Sequence, residues 1–199
     1  MPRWIDVVLS LCGLTLLAPL MAILALAIKV SSPGPVLFRQ ERIGRAGIPF
    51  EILKFRTMVV HAEEAGGKLT VGGRDPRITR IGYFLRKFKL DELPQLWNVA
   101  GGEMKFVGPR PEVPEYVRLW DEIQRAVVLA VAPGITDPAS IAFRDENEMI
   151  AGADDPERTY VEEILPRKLQ MSAQYLGKRT VASDLRVIAE TVRTAVLRS

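Results

Sequence analysis

Two adjacent carboxylates, Asp91 and Glu92, stand where a basic stretch, Arg86-Lys87-Phe88-Lys89, gives way to an apolar one, Leu93-Pro94-Gln95-Leu96-Trp97-Asn98-Val99. Proline is tolerated in a helix only within its first turn, so the helix carrying Leu93, Leu96, Trp97 and Val99 is predicted to begin near Asp91. Asp91 then has two readings. In one it is an N-cap that accepts a backbone N–H. In the other it is reactive: a helix N-terminus carries partial positive charge, which keeps a carboxylate ionised and favours phosphate nearby. An ionised aspartate can attack phosphorus, and a neighbouring carboxylate can hold the hard cation that neutralises a pyrophosphate. Adjacent helical residues point about 100° apart, so the pair is expected to divide the work rather than share a proton.

Other candidates are cationic. Gly108-Pro109-Arg110-Pro111-Glu112 sets an arginine between two prolines. The stiffened backbone fixes the direction of the guanidinium fork, which suits bidentate phosphate binding, although the same residues also read as a rigid turn with an exposed arginine. Lys54-Phe55-Arg56 is either a half-buried strand with a wet face or a pair of cations aimed at a phosphate. Several chemistries are excluded. His61 is the only histidine and Cys12 the only cysteine, which removes a histidine triad, a zinc cluster and an internal disulfide. No Gly-x-x-x-x-Gly-Lys-Ser/Thr loop occurs.

The elements that position these groups begin with an apolar stretch. With 48% hydrophobic residues in 199, the chain is rich for a soluble protein, and the excess is concentrated in residues 7–28, which carry no charge. As one helix this stretch is about 33 Å long, against a hydrocarbon core of about 30 Å. Pro19 divides it into arms of about 18 and 14 Å, each reaching roughly the midplane. A kinked spanning helix and a re-entrant helix both fit. Basic residues flank both ends, Arg3 on one side and Lys29, Arg39, Arg42 and Arg45 on the other, and the heavier cluster places residues after 30 in the cytoplasm. The stretch is too long, its leading basic region too weak and Lys29-Val30-Ser31-Ser32-Pro33 too poor a cleavage site for a signal peptide. The net charge of +3 and pI near 9.1 suit anionic partners: phosphate, nucleic acid or acidic lipid.

Residues 36–40 and 50–55 read as a hairpin, and residues 61–75, with Gly66, Gly67, Gly72 and Gly73, as a loop. A cationic amphipathic helix is predicted over 77–89, a turn at 101–103, an extended piece over 104–107 and a helix over 112–131. Thr136, Asp137 and Arg144 fall in a following loop, Asp154-Asp155-Pro156 in a solvated turn, and 181–198 in a second amphipathic helix. Beside a membrane anchor both amphipathic helices are candidates for the interface.

Five motifs in order, KFRTM, RDPRITRIG, LDELPQLWNV, GEMKFVGPRPE and PGIT, after a proline-broken apolar N-terminus, resemble the bacterial sugar transferase family of monotopic phosphoglycosyl transferases. The resemblance covers nearly the whole chain. It implies transfer of a sugar-1-phosphate from a UDP-sugar to a polyprenyl phosphate, in bacteria undecaprenyl phosphate, with Mg2+, at the cytoplasmic face of the inner membrane. It makes Asp91 the nucleophile, attacking the β-phosphate to release UMP, and Glu92 its partner, with the metal on either carboxylate. Arg110 would grip phosphate, with Lys54 and Arg56 as further candidates. Pro109, Pro111, Thr136 and Arg144 would contact nucleotide or sugar. Ala18-Pro19 would be the break of a re-entrant helix. The expected architecture is α+β and mainly helical: residues 1–32 in the membrane, then a catalytic domain over 33–199 containing a small hairpin and amphipathic interfacial helices. The implied partners are the two substrates, membrane lipid and other glycan-assembly enzymes, not nucleic acid. The sequence leaves the family pattern after Thr136, where Asp137-Pro138-Ala139-Ser140 stands in place of Gly-Trp and a later Asn-Gly-Arg. The rival reading is a non-catalytic anchored protein whose basic helices bind acidic lipid or a partner.

Overall fold

The computed structural model describes residues 1–62, 71–72 and 75–197, so Gly66, Gly67 and Gly73 of the glycine-rich stretch, and Arg198 of the tail, lie outside the described residues. The architecture is mainly helical. Helix α1 (Arg3–Ser31) runs through Pro19 as one element, so the expected division at Ala18-Pro19 is not a gap in secondary structure. By length and composition α1 can cross a membrane, and Leu16, Ile23, Leu26 and Val30 are exposed along it.

Strands β1 (Leu37–Ile43) and β2 (Pro49–Phe55) form the expected antiparallel hairpin around a 3-10 turn at Arg45–Gly47. Its register pairs Leu37 with Phe55 and Ile43 with Pro49, three residues further along the first strand than expected. Helix α2 (Arg80–Lys87) is shorter than the predicted 77–89. Thr79 caps its start by accepting the Gly82 N–H at 3.0 Å, Ile78 is drawn into a bridge with Met58, and Lys89 turns left-handed at φ 55°. Gly82 lies so close to the backbone leaving β2 that a Cβ there would stand 1.9 Å from the Thr57 carbonyl oxygen.

Helix α3 (Gln95–Gly101) follows, four residues later than predicted, because Leu90–Glu92 form a separate 3-10 turn and Pro94 is the residue that precedes the helix. The extended piece is β3 (Lys105–Val107), and it pairs in parallel with β4 (Gly134–Thr136), a strand that three residues of sequence do not announce. The approach of Gly108 and Gly134 permits the pairing, since a Cβ on Gly134 would meet the Gly108 nitrogen at 2.1 Å. Between these strands the predicted 112–131 helix is two, α4 (Pro114–Val117) and α5 (Glu122–Val128). The divider is a capping box in which Asp121 accepts the Gln124 N–H at 2.7 Å and the Gln124 side chain accepts the Asp121 N–H.

The rest is helical: α6 (Pro138–Ala142), α7 (Glu146–Ala151), α8 (Pro156–Thr159), a π-helical turn (Tyr160–Ile164), α9 (Leu165–Lys178) and α10 (Val181–Leu197). The loop expected at Asp137 is therefore the start of α6, and Asp155 caps α8. Three buried clusters hold the fold. Tyr116, Trp120, Ile150, Tyr160 and Leu165 join α4 to α9, Ile52, Val99 and Met104 join hairpin to α3, and Leu24 and Ile28 of α1 pack with Phe55 and Leu85.

Candidate active site

Four segments converge on the carboxylate pair. Asp91 and Glu92 lie in the 3-10 turn after α2, Lys54 reaches in from β2, and Arg110 from the proline-bounded arm after β3. Backbone bonds on both sides of β4 fix that arm. Gly108 N donates to Thr136 O at 3.0 Å and Gly134 N to Pro109 O at 2.9 Å. Arg42 Nη1 donates to Pro111 O at 3.2 Å and to Glu112 Oε1 at 2.9 Å, and the Tyr160 hydroxyl donates to Glu112 Oε2 at 2.6 Å.

Glu92 is the fully engaged member of the pair. Both its oxygens accept from Arg110, through Nη2 and through Nη1 at 3.3 Å, while Lys54 Nζ lies 3.2 Å from Oε1. Burial alone would raise its affinity for protons, but the charges of Arg110 and Lys54 and the Arg110 hydrogen bond hold it well below the ordinary glutamate range. Burial lowers the Lys54 ammonium, with Glu92 opposing.

Asp91 is the reverse. It is 8% exposed, it caps no helix, and its Oδ1 has no hydrogen-bond partner among the described residues. Burial and the adjacent Glu92 charge raise its pKa. The N-cap expectation is thus corrected: α3 begins too late for Asp91 to reach its first N–H groups. A buried carboxylate oxygen without a donor is costly, and the segment concentrates that cost, since Gln95, 1% exposed, finds no partner for either amide atom among the described residues.

A cavity of about 750 Å3 opens on this pair, large enough for a nucleotide-sized ligand. Lys54, Asp91, Glu92 and Arg110 line it, as do Arg56, Pro111 and Arg144. Arg56 is 5% exposed and its guanidinium bonds the Ser32 and Pro33 carbonyls and the Ser32 hydroxyl, tying the end of α1 to β2. Arg144 donates to the Thr194 carbonyl. Pro109 lines a small void behind Arg110, and the Thr136 hydroxyl bonds that of Thr191 at 2.8 Å, so neither lines the large cavity. Asp137, where the sequence leaves the family pattern, is buried and takes hydrogen bonds from Ser140 N and from Ser172 Oγ of α9.

Sequence reading missed Arg86. Its Nε donates to Thr57 Oγ1 at 2.9 Å, it lines the cavity, and its charge acts on Asp91. The available signal was helical spacing, because Arg86 is one turn after Gly82, on the face α2 turns to the core. The Arg42, Glu112, Tyr160, Lys168 and Glu146 wall was missed too, and its members are too scattered along the chain for any spacing to reveal.

A Bacillus subtilis protein named as a putative undecaprenyl-phosphate N-acetylgalactosaminyl 1-phosphate transferase is 43% identical over 114 residues, covering 57% of this chain and 63% of its own. A Xanthomonas campestris UDP-glucose:undecaprenyl-phosphate glucose-1-phosphate transferase is 37% identical over 94% of this chain and 37% of its own. An Aeromonas hydrophila UDP-N-acetylgalactosamine-undecaprenyl-phosphate N-acetylgalactosaminephosphotransferase is 34% identical over 96% of this chain and 43% of its own. The chain therefore spans less than two thirds of the length of each of these relatives. The family model for bacterial sugar transferases matches residues 1–198, and the chain belongs to that family.

Proposed function

We propose that the protein transfers a sugar-1-phosphate from a UDP-sugar to undecaprenyl phosphate through a phosphosugar-aspartate on Asp91. The observation that carries the reading is the asymmetry of the pair: Glu92 is clamped by Arg110 and Lys54, whereas Asp91 Oδ1 is buried and unpartnered beside them. In the first step the Asp91 carboxylate forms a bond to the β-phosphorus, the bond from that phosphorus to the bridging oxygen breaks, and UMP leaves with its electron pair. In the second, a phosphate oxygen of the lipid attacks the same phosphorus, the acyl phosphate bond breaks, and Asp91 is regenerated. Arg110 and Lys54 hold Glu92 ionised, and in this reading the Arg110 guanidinium also receives the pyrophosphate. Undecaprenyl phosphate and the UDP-sugars are carried over from the names of the relatives.

Mg2+ belongs to the same proposal. Among the described residues no group of three metal-ligating side chains occurs, but magnesium is commonly held by one or two carboxylates together with substrate phosphates and water. The unpartnered Asp91 oxygen next to Glu92 fits that mode. When bound there it would neutralise pyrophosphate charge and favour ionised Asp91.

We read residues 1–32 as a re-entrant membrane element and 33–199 as a catalytic domain on the cytoplasmic face of the inner membrane. Support comes from the two ends of α1, which both rest on that domain. Arg3 donates to the Ala100 and Met104 carbonyls and Asp6 accepts from Phe106 N, while Leu24 and Ile28 pack on Phe55 and Leu85. Exposed Tyr83 and Phe84 on α2 and Leu185 and Val192 on α10 suit interfacial helices. A non-catalytic lipid binder would leave the unpartnered Asp91 without a reason. The test is release of UMP from a panel of UDP-sugars by detergent-solubilised protein with undecaprenyl phosphate. Turnover with at least one donor is expected, and none with any donor would overturn the assignment.

A further inference from the structure

The cavity wall that also carries Tyr160 holds a charged couple that the transfer chemistry leaves unused. Lys168 of α9 donates to Glu146 Oε2 at 2.7 Å where α7 begins, and its ammonium stands 5.3 Å from the centroid of the Tyr160 ring. Lys168 is buried and Glu146 partly so, and both line the cavity that contains Asp91 and Arg110. The second oxygen of Glu146 takes no hydrogen bond from any described residue, so acceptor capacity is left over on the wall.

A carboxylate is out of place there for two parts of a UDP-sugar. It repels phosphate, and it repels the carbonyl oxygens that flank the single N–H of uracil. Vicinal hydroxyls suit it, because each both donates and accepts. One hydroxyl can donate to Glu146 while its neighbour accepts from Lys168, with the ion pair intact. Ribose and hexose both offer such hydroxyls, and position favours the hexose. Lys168 and Arg110 line one small void, and the Arg110 fork holds Glu92 next to Asp91. The hexose is bonded through oxygen to the phosphorus that Asp91 would attack, whereas the ribose lies one phosphate further away. The relatives are named for different sugars, glucose and N-acetylgalactosamine, so the groups that read the sugar are expected to vary within the family. Glu146 lies beyond Pro-Gly-Ile-Thr, outside the five motifs that carry the family resemblance.

Resting on the transferase reading above, we infer that Glu146 and Lys168 form the hexose-binding subsite and set which UDP-sugar is accepted. The test uses the full chain in detergent, UDP-glucose, UDP-galactose and their N-acetylated counterparts as donors, and UMP as product inhibitor. Glu146→Gln is expected to lower kcat/KM for the preferred donor roughly 10- to 100-fold, the worth of a hydrogen bond to a charged group, to narrow the discrimination among donors, and to leave inhibition by UMP unchanged. If the single variant unfolds because Lys168 is left as a lone buried charge, the double variant Glu146→Gln with Lys168→Met removes that charge and decides the matter. Unchanged donor preference in a folded variant would overturn the subsite, and so would a matching loss of UMP inhibition, which would place the couple at the ribose. Wild-type protein inactive with every donor would overturn the transferase reading and the subsite with it, whereas active wild type with unaltered preference in the variants would overturn the subsite alone.

Discussion

At the scale of single residues, the pair separates by environment rather than by type. Asp91→Asn keeps the shape of a side chain that bonds nothing through Oδ1, so the fold should persist while turnover and any trappable phosphosugar adduct vanish. Mass spectrometry of protein quenched during turnover checks this, and an adduct on Asp91→Asn would refute the nucleophile. Arg110→Lys keeps a charge but loses the fork that engages both Glu92 oxygens, and about 100-fold loss of kcat/KM is expected, with near-normal kinetics contradicting it. Glu112 gives a pH prediction. Burial pushes its carboxyl up, but Arg42, Lys168 and the Tyr160 hydroxyl together hold it below its ordinary 4.5. A depressed carboxylate contributes stability that is complete above 4.5 and is lost as pH falls through the lower folded value. Tyr160→Phe removes one of those partners, so it should lower stability at neutral pH by about 1 kcal/mol and make the acid limb of unfolding shallower. An acid limb as steep as wild type in thermal unfolding would mean that Tyr160 does not hold Glu112.

At the scale of elements, what was legible in the sequence was what repeats within one segment. The apolar stretch, the hairpin and the C-terminal helix follow from periodicity, and Asp91, Glu92, Lys54 and Arg110 stand out because their types suit phosphate chemistry. What was not legible depends on contacts distant in sequence. Three-residue strands carry too little pattern to announce that β3 pairs with β4, and only that pairing shows where the Arg110 arm is anchored. The division of α4 from α5 is written in Asp121-x-x-Gln124, a local capping signal that the apolar positions alone do not carry. The late start of α3 has a tighter cause: Lys89 in the left-handed region ends the α2 segment and turns Leu90–Glu92 so that Asp91 faces the cavity. The seat of that turn is Gly82, through which α2 sits against the Thr57 backbone. Gly82→Ala must push α2 away, at a cost of about 1–3 kcal/mol, and should reduce activity beyond what a lower Tm alone explains, because Arg86 moves with the helix. Full activity at unchanged Tm would show that the close approach is not required.

At the scale of the whole molecule, the decisive relation is between α1 and the domain it lies on. A helix that crosses a bilayer puts its ends on opposite faces, about 30 Å of hydrocarbon apart. The ends of α1 are instead held to one body, Arg3 and Asp6 at α3 and β3, Leu24 and Ile28 at β2 and α2. Crossing would strip Arg3 of two carbonyl acceptors and leave buried Asp6, 0% exposed, without the Phe106 N–H, a cost of about 1–3 kcal/mol for each group left unpaired. Pro19 lowers the cost of the alternative, because the hydrogen bond to Thr15 is already missing and a bend there breaks nothing further. Residue 2 and the catalytic domain are therefore expected on the same face. With Cys12→Ser as background, a cysteine introduced at Pro2 should resist an impermeant thiol reagent added to intact cells and react in inverted vesicles. Pro19→Leu restores the missing bond, stiffens α1, and should move part of the population to a spanning form in which that cysteine labels from outside and activity falls in proportion. Labelling of the cysteine from outside in protein that retains Pro19 would mean that α1 spans, and that its contacts with α3 and β3 do not hold in the membrane.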